Sequence, residues 1–534
     1  MKKLILMLPL LLFSKEVTLD FITQKPTSVA KDYYIWRFLD QNITSNEANK
    51  AFYQTKNVNR KIFLRFAKKS DDKYIKEIAR CMKLKPKEYI KENAECIAAG
   101  MSPYKFVSLD LEERKKIAKK VKKFEKTYKI FTVLSSKYPF FILLNNEYIF
   151  FNIFNQVGDK FREKHLNYTI PTYFLEKIKN KKGFDTFVNI AITNPKLKKI
   201  HFSFFDISTQ DLSAYSSFLI AINAIRYSKY EIAKRFLIYS YNKAYYTFDK
   251  DKALFWLYLI TKNPKILEKL TESKDINIYS IYAKERLHKK IDNFVTFDFE
   301  NNSNDINIKD PFVWLEILNK TKSLKEEELK RFAFNFRSKN LLPVYAFLME
   351  RYYKYKIHPY ITPFESYLKG VDKKDRALIY ALARQESRFI PSSISTSFAL
   401  GTMQIMPFLA KAIAKEKNID GFDLDLMFEP KINLDFALHH IKFLKRKLKH
   451  PLLIAYAYNG GIGFTKRKIV KTDIFDENKF EPFLGMELVP YPESRKYGKK
   501  VLANYVIYCK ILGVKENLHS LIEKLVPFDR NHRF

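Results

Sequence analysis

Glycine is scarce in this chain. There are 12 in 534 residues, about 2% where globular proteins average about 7%. Only Gly100, Gly158 and Gly183 precede residue 370, and the other nine run from Gly370 to Gly513. Tight hairpins need positive φ, which glycine adopts most readily, so so little glycine excludes a hairpin-rich β fold for the first two-thirds. Those residues are expected to be helical. The final third is expected to hold the special backbone geometry that gathers at working sites. Cysteine is nearly absent as well, with only Cys81, Cys96 and Cys509. No His/Cys group has metal-ligand spacing, and His439-His440 stands without further ligands, so neither metal nor cofactor is expected. No apolar run reaches the ~20 residues of a membrane span. The best stretch, 138–154, is interrupted by Asn145, Asn146 and Glu147. Acidic residues are the third deficit: 58 Asp+Glu against 96 Lys+Arg leave a formal charge of +38. That surplus suits an anionic partner: nucleic acid, a membrane surface or an acidic polymer. It is lysine-rich and spread along the chain, so much of it reads as solvated surface.

What is present is apolar material in quantity. Hydrophobic residues reach 47% and aromatics 16%, with 47 Phe and 34 Tyr, which excludes a disordered chain. The length exceeds what one core serves, so two or three domains are expected. Residues 1–14 pair a basic start, Met1-Lys2-Lys3, with the apolar run Leu4 to Phe13 and a small Ser14. They read as an export signal peptide, with a buried N-terminal helix as the alternative. Export permits disulfides. Cys81 closes one helical pattern and Cys96 lies in the next, beyond a turn near 83–86, so the two are a disulfide candidate. Cys509 sits in an apolar helical run and reads as a buried free thiol.

Short amphipathic patterns joined by brief polar links fill residues 15–290, an expected α-helical solenoid curved into a ring or horseshoe. Within it, Glu231 to Tyr241 puts Ala233, Phe236, Leu237 and Ser240 on one face, and Asp251 to Lys262 does the same with Leu254, Leu257 and Tyr258. No fixed repeat period emerges. Residues 291–310 form a polar break, helical patterns resume from Pro311 to about Tyr355, and His358-Pro359 and Thr362-Pro363 break them again. A small helical linker domain is therefore expected at 291–357, and a third domain at 358–534.

Residues 372–388 read as a helix capped by Asp372, with Asp375 favourable to its dipole. Leu378 and Leu382 lie on its apolar face, and Glu386 is next in that series. A carboxyl continuing a buried stripe, without a cation on the neighbouring turn, is desolvated and keeps its proton towards neutral pH. That suits a general acid for glycosidic cleavage. A buried glutamate satisfied by hydrogen bonds, or one turned towards Arg388, is the competing structural reading.

Three further segments bear on that choice. They are Ala399-Leu400-Gly401-Thr402-Met403-Gln404-Ile405-Met406-Pro407, Ala455-Tyr456-Ala457-Tyr458-Asn459-Gly460-Gly461, and Pro492-Glu493-Ser494-Arg495-Lys496-Tyr497. With Glu386-Ser387 they resemble, in order and spacing, the motifs of the soluble lytic transglycosylases of bacterial cell-wall turnover. Thr402 stands where that family usually has Leu, Gly460 for Ala, Ser494 for Thr, and Gly498 follows Tyr497 in place of Val. The motifs cover about a fifth of the chain; over the solenoid the similarity is architectural.

The resemblance implies a mainly α protein with a C-terminal lysozyme-like α+β catalytic domain. It implies cleavage of the β-1,4 bond between N-acetylmuramic acid and N-acetylglucosamine in peptidoglycan. The muramoyl C6 hydroxyl attacks its own anomeric carbon and leaves a 1,6-anhydro end. Glu386 acts as acid and then base, aided by the substrate's 2-acetamido group. Substrate-binding candidates are Ser395, Gly401, Gln404, Met406, Tyr458, Asn459, Glu493 and Tyr497. Gly401 is assigned close passage past the sugar, Gln404 and Ser395 hydrogen bonds to an acetamido group, Met406 an apolar wall, and Tyr458 ring packing. The expected partners are glycan strands and stem peptides, with cell-wall enzymes as further candidates. No nucleic acid is expected, the protein is read as a monomer, and the place is the periplasm. A lysozyme-type hydrolase and a non-catalytic wall-binding scaffold are the alternatives.

Overall fold

The computed structural model describes residues 16–303, 306–472, 474–475 and 479–525. The expected signal peptide, 1–14, lies outside them. The protein is mainly α-helical, and no described helix is long and apolar enough to cross a membrane.

From Leu19 to Arg286 the chain is a succession of short helices. Side chains fix many of their starts: Ser28, Thr44, Asn59, Asp72, Ser213 and Asn277 each accept a backbone N–H of the first turn. The amphipathic pattern sets the inner face. In the helix Tyr230–Lys243, Ala233, Phe236, Leu237 and Ser240 are the buried residues. The next helix, Thr247–Thr261, starts earlier than the polarity of its first turn suggests and buries Phe255 and Trp256 completely. Phe150 packs edge-on to Phe174 and Phe187 at 5.3 and 5.2 Å, so aromatics from three helices make one layer. Cys81 and Cys96 form a disulfide between Lys73–Lys83 and Ala94–Gly100, and Cys509 is free and buried.

No helix spans Leu287 to Asp310 among the described residues. Val295 there bridges to Pro359, through Val295 N–H to His358 O (3.0 Å) and Tyr360 N–H to Val295 O (2.8 Å). Helices Pro311–Ser323, Glu326–Phe334 and Leu342–Tyr352 follow. They carry a second, smaller apolar cluster that includes Ile317, Leu329, Phe336, Leu348 and, from further along, Ile390.

In the last third, helix Lys373–Ser387 packs on the long helix Pro492–Ile511, which also packs on Pro451–Gly460. The β content expected here is reduced, among the described residues, to isolated bridges Ile394–Leu400 and Leu400–Ile405. Positive φ at Phe398 (65°), Gly401 (77°) and Gln404 (49°) folds the segment back on itself before a ladder can extend.

The early helices wrap this last third. Arg37 pairs with Asp423 (2.7 Å) and Asp425 (2.5 Å), and Lys61 donates to Ser397 O (2.9 Å). Asn189 donates to Pro490 O (3.0 Å), and Tyr279 donates to Glu487 (2.5 Å). Contacts from the start, middle and end of the array onto one body make the array curve round it.

Candidate active site

Helix Lys373–Ser387 starts where Asp372 accepts the N–H of Lys374 (2.9 Å) and ends at Arg388, whose φ is +52°. Ala377 to Ala383 are buried. Glu386 lies one turn beyond this stripe and is half-buried. The Tyr497 hydroxyl donates to Glu386 Oε1 at 2.6 Å. Removal from water pushes the Glu386 carboxyl up to about 7, against the pull of the Tyr497 bond and with a further push from the Glu493 charge. The acid is thus poised to hold its proton near neutrality and to be hydrogen-bonded once it has given that proton away.

Tyr497 is buried, and the reason it points at Glu386 lies in the next residue. A Cβ on Gly498 would meet the Tyr456 ring at 2.2 Å, so glycine lets the Pro492–Ile511 helix press against Pro451–Gly460. The same helix is anchored from its other side. Lys499 and Glu487, each 2% exposed, form an ion pair of 2.5 Å, and Tyr279 donates to the other Glu487 oxygen. Burial alone would raise the Glu487 carboxyl; the Lys499 charge overrides it and holds it below its ordinary range. Arg495 donates to Val489 O (2.8 Å) and to Asn189 of the helical array.

The loop after Glu386 is a knot of hydrogen bonds. Gly401 N–H donates to Ser393 O (2.9 Å), and Leu400 and Ile405 exchange two bonds of 3.0 and 2.9 Å. Asn433, fully buried, donates to Leu400 O (3.1 Å) and Met427 O (2.9 Å) and accepts from Met403 N–H (2.8 Å). The Ser387 hydroxyl donates to Thr402 O (2.7 Å), which ties the loop to the acid's helix.

Some assigned roles change in this setting. Packing alone already requires glycine at Gly401: a Cβ there would meet Met427 O at 2.1 Å and Asn433 at 2.5 Å, and φ is +77°. Gln404 spends both amide hydrogens on its own loop, donating to Ser393 O (2.9 Å) and Gly401 O (2.8 Å), so only its oxygen is left to face a ligand. The Tyr458 hydroxyl donates to Met403 O (2.7 Å), which leaves its ring as the part that can meet a ligand. Ser395 accepts Ala399 N–H (2.9 Å) and has no acceptor for its own proton among the described residues. Met406 is half-exposed at the start of Pro407–Glu416. Asn459 and Glu493 bind each other (3.2 Å), with Ser494 donating to Asn459 (2.6 Å); they are brought together beside the acid, not onto it. Asn433 was not foreseen, although a polar amide among Leu434, Phe436 and Ala437 in a helical stripe is a readable signal. No metal-ligating group lies here: among the described residues the one cluster is Glu77 with the bonded Cys81 and Cys96.

The Glu386 carboxyl, held towards its protonated form beside the Tyr497 hydroxyl, sits above a loop that turns its polar groups inward. Residues 369–481 match the family model described as Transglycosylase SLT domain, so the resemblance carried by the motifs is shown for that segment. The fourth motif, at 492–497, lies beyond the matched residues and enters the site through Tyr497. The chain is 26% identical over 216 residues to the soluble lytic murein transglycosylase of Salmonella typhimurium, covering 39% of this chain and 32% of that one. It is 31% identical over 138 residues to the putative soluble lytic murein transglycosylase of Haemophilus influenzae, covering 26% and 22%. The matched region thus spans about a third or less of these curated relatives. Among solved structures, an inactive mutant of lytic transglycosylase Slt from Pseudomonas aeruginosa aligns with a TM-score of 0.49 and 13% identity over 93% of this chain and 89% of that one.

Proposed function

We propose that this chain is a peptidoglycan lytic transglycosylase that cleaves the β-1,4 bond between N-acetylmuramic acid and N-acetylglucosamine. The observation that carries the proposal is the Glu386 carboxyl, raised to about 7 and touched by Tyr497. Glu386 gives its proton to the glycosidic oxygen as the bond to the anomeric carbon breaks. The resulting carboxylate is stabilised by the Tyr497 hydroxyl. It then takes the proton of the muramoyl C6 hydroxyl, whose oxygen closes on the anomeric carbon, so the product is a 1,6-anhydro end. Ser395, Gln404, Met406, Tyr458 and Asn459 line the path of the glycan, with Ser395 donating and Gln404 accepting.

In this reading residues 1–14 are an export signal, 15–290 a helical array, 291–357 a linker unit and 358–534 the catalytic unit. The protein works in the periplasm as a monomer on glycan strands with their stem peptides. A second reading is lysozyme-type hydrolysis, favoured by Glu493, an exposed carboxylate near enough to raise Glu386. Mass spectrometry of products from intact cell wall decides. Anhydromuramoyl ends are expected. Reducing muramoyl ends, heavier by one water, would replace the transglycosylase by the hydrolase.

A further inference from the structure

The helix that brings Tyr497 to Glu386 also carries Lys496 and Lys500, one turn apart and flanking Tyr497. Lys496 is exposed, and its ammonium stands 5.7 Å from the Tyr246 ring and 5.3 Å from the Phe248 ring of the helical array. Tyr246 is itself 63% exposed. Lys500 is half-buried and has neither an ion pair nor a hydrogen bond among the described residues. The buried lysines near this junction have partners: Lys252 pairs with Asp249 (2.9 Å), Lys499 with Glu487 (2.5 Å), and Lys284 donates to Asn293 (3.0 Å).

The surroundings do not compensate Lys500. Burial, followed by the charge of Lys496, lowers its ammonium from the ordinary value, with Arg388 and Arg384 adding to the effect. Asp275 is the acid that acts on it favourably, and Asp275 accepts from Asn277 (3.3 Å). Arg388 is committed to Glu350, and Arg384 to Pro359 O (3.0 Å) and Asn504 (3.2 Å). Glu493, on the same helix, is held by Asn459. A half-buried cation without a partner costs stability, and a hydrophobic residue of similar length would remove that cost. What justifies an ammonium there is an anion that arrives with the ligand.

We propose that Lys496 and Lys500 form a carboxylate subsite beside the catalytic cleft, walled by Tyr246 of the helical array, that takes a carboxylate of the substrate's peptide stem. The proposal rests on the peptidoglycan reading above and names a part of the substrate the acid does not touch. It also gives the array a share in substrate binding, because one wall of the subsite belongs to it.

The test uses the full chain with Glu386→Gln, which prevents turnover. Binding of a fluorescently labelled glycan tetrasaccharide bearing peptide stems is compared with binding of the same tetrasaccharide stripped by an amidase. The peptide-bearing form is expected to bind more tightly. Adding Lys500→Met should cut the ratio of the two affinities about tenfold, the scale of one charge-assisted hydrogen bond. Lys447→Met, a remote surface change, should leave the ratio alone. Thermal unfolding of Lys500→Met should occur at the same or a higher temperature, since an unmatched charge is lost. An unchanged ratio, or a marked fall in unfolding temperature, overturns the subsite. If the parent protein binds neither tetrasaccharide, the peptidoglycan reading itself falls. If it binds both equally, the subsite falls alone.

Discussion

The hydroxyl of Tyr497 sits 2.6 Å from Glu386 Oε1, although the two residues are 111 positions apart. This bond joins the first and last segments of the site and sets what each protonation state of the acid is worth.

Replacing Glu386 by Gln is expected to reduce product formation by at least about a hundredfold, the scale of a lost general acid. In the parent enzyme, turnover should fall as pH rises through about 7, because the acid must hold its proton. The stability effect has the same origin. The folded carboxyl binds its proton more tightly than the unfolded one, whose ordinary value is 4.5. Its stabilising contribution is therefore present below about 4.5 and is lost as pH climbs towards 7, by at most about 3 kcal/mol. Glu386→Gln should flatten that slope in denaturation measured between pH 4 and 8.

Tyr497→Phe removes the donor that favours the ionised acid. The alkaline limb of the pH–rate profile should move to higher pH, and the fold should lose about 1–2 kcal/mol from an unpaired buried oxygen. A profile identical to the parent's would show that the hydroxyl does not act on Glu386.

Gly498→Ala should destabilise by about 1–3 kcal/mol and reduce turnover, since the added methyl meets the Tyr456 ring. Pairing it with Tyr456→Leu should restore part of both. Loss of stability without loss of turnover would mean that Tyr497 keeps its place without this contact.

Lys499→Met leaves Glu487 charged in a dry interface and should cost about 3–5 kcal/mol, whereas the double change Lys499→Met with Glu487→Leu should recover most of it. Chemical denaturation of the three variants checks this. Equal losses in the single and double variants would contradict it.

The place of Glu386 on its helix was legible because its signal is local. Apolar residues at 378 and 382 point to 386, and a helix with Asp372 at its start fixes their register. Ala233, Phe236, Leu237 and Ser240 were readable for the same reason. What the sequence did not disclose is reciprocal packing. Gly401 and Gly498 are glycines because Met427, Asn433 and Tyr456 stand where a Cβ would go, and those neighbours come from other helices. The motif pattern marks Gln404 as a polar residue without saying that its amide is spent on Ser393 and Gly401. Charge composition likewise gives no hint that Lys499 is matched and Lys500 is not.

The clamp of Arg37 on Asp423 and Asp425 joins residues 386 and 388 positions apart. Closing so long a loop costs only slightly more entropy than closing one of half its length. A protease that nicks the exposed residues His288 to Lys290 would therefore leave two fragments still fastened to one another, migrating as one species until a denaturant parts them.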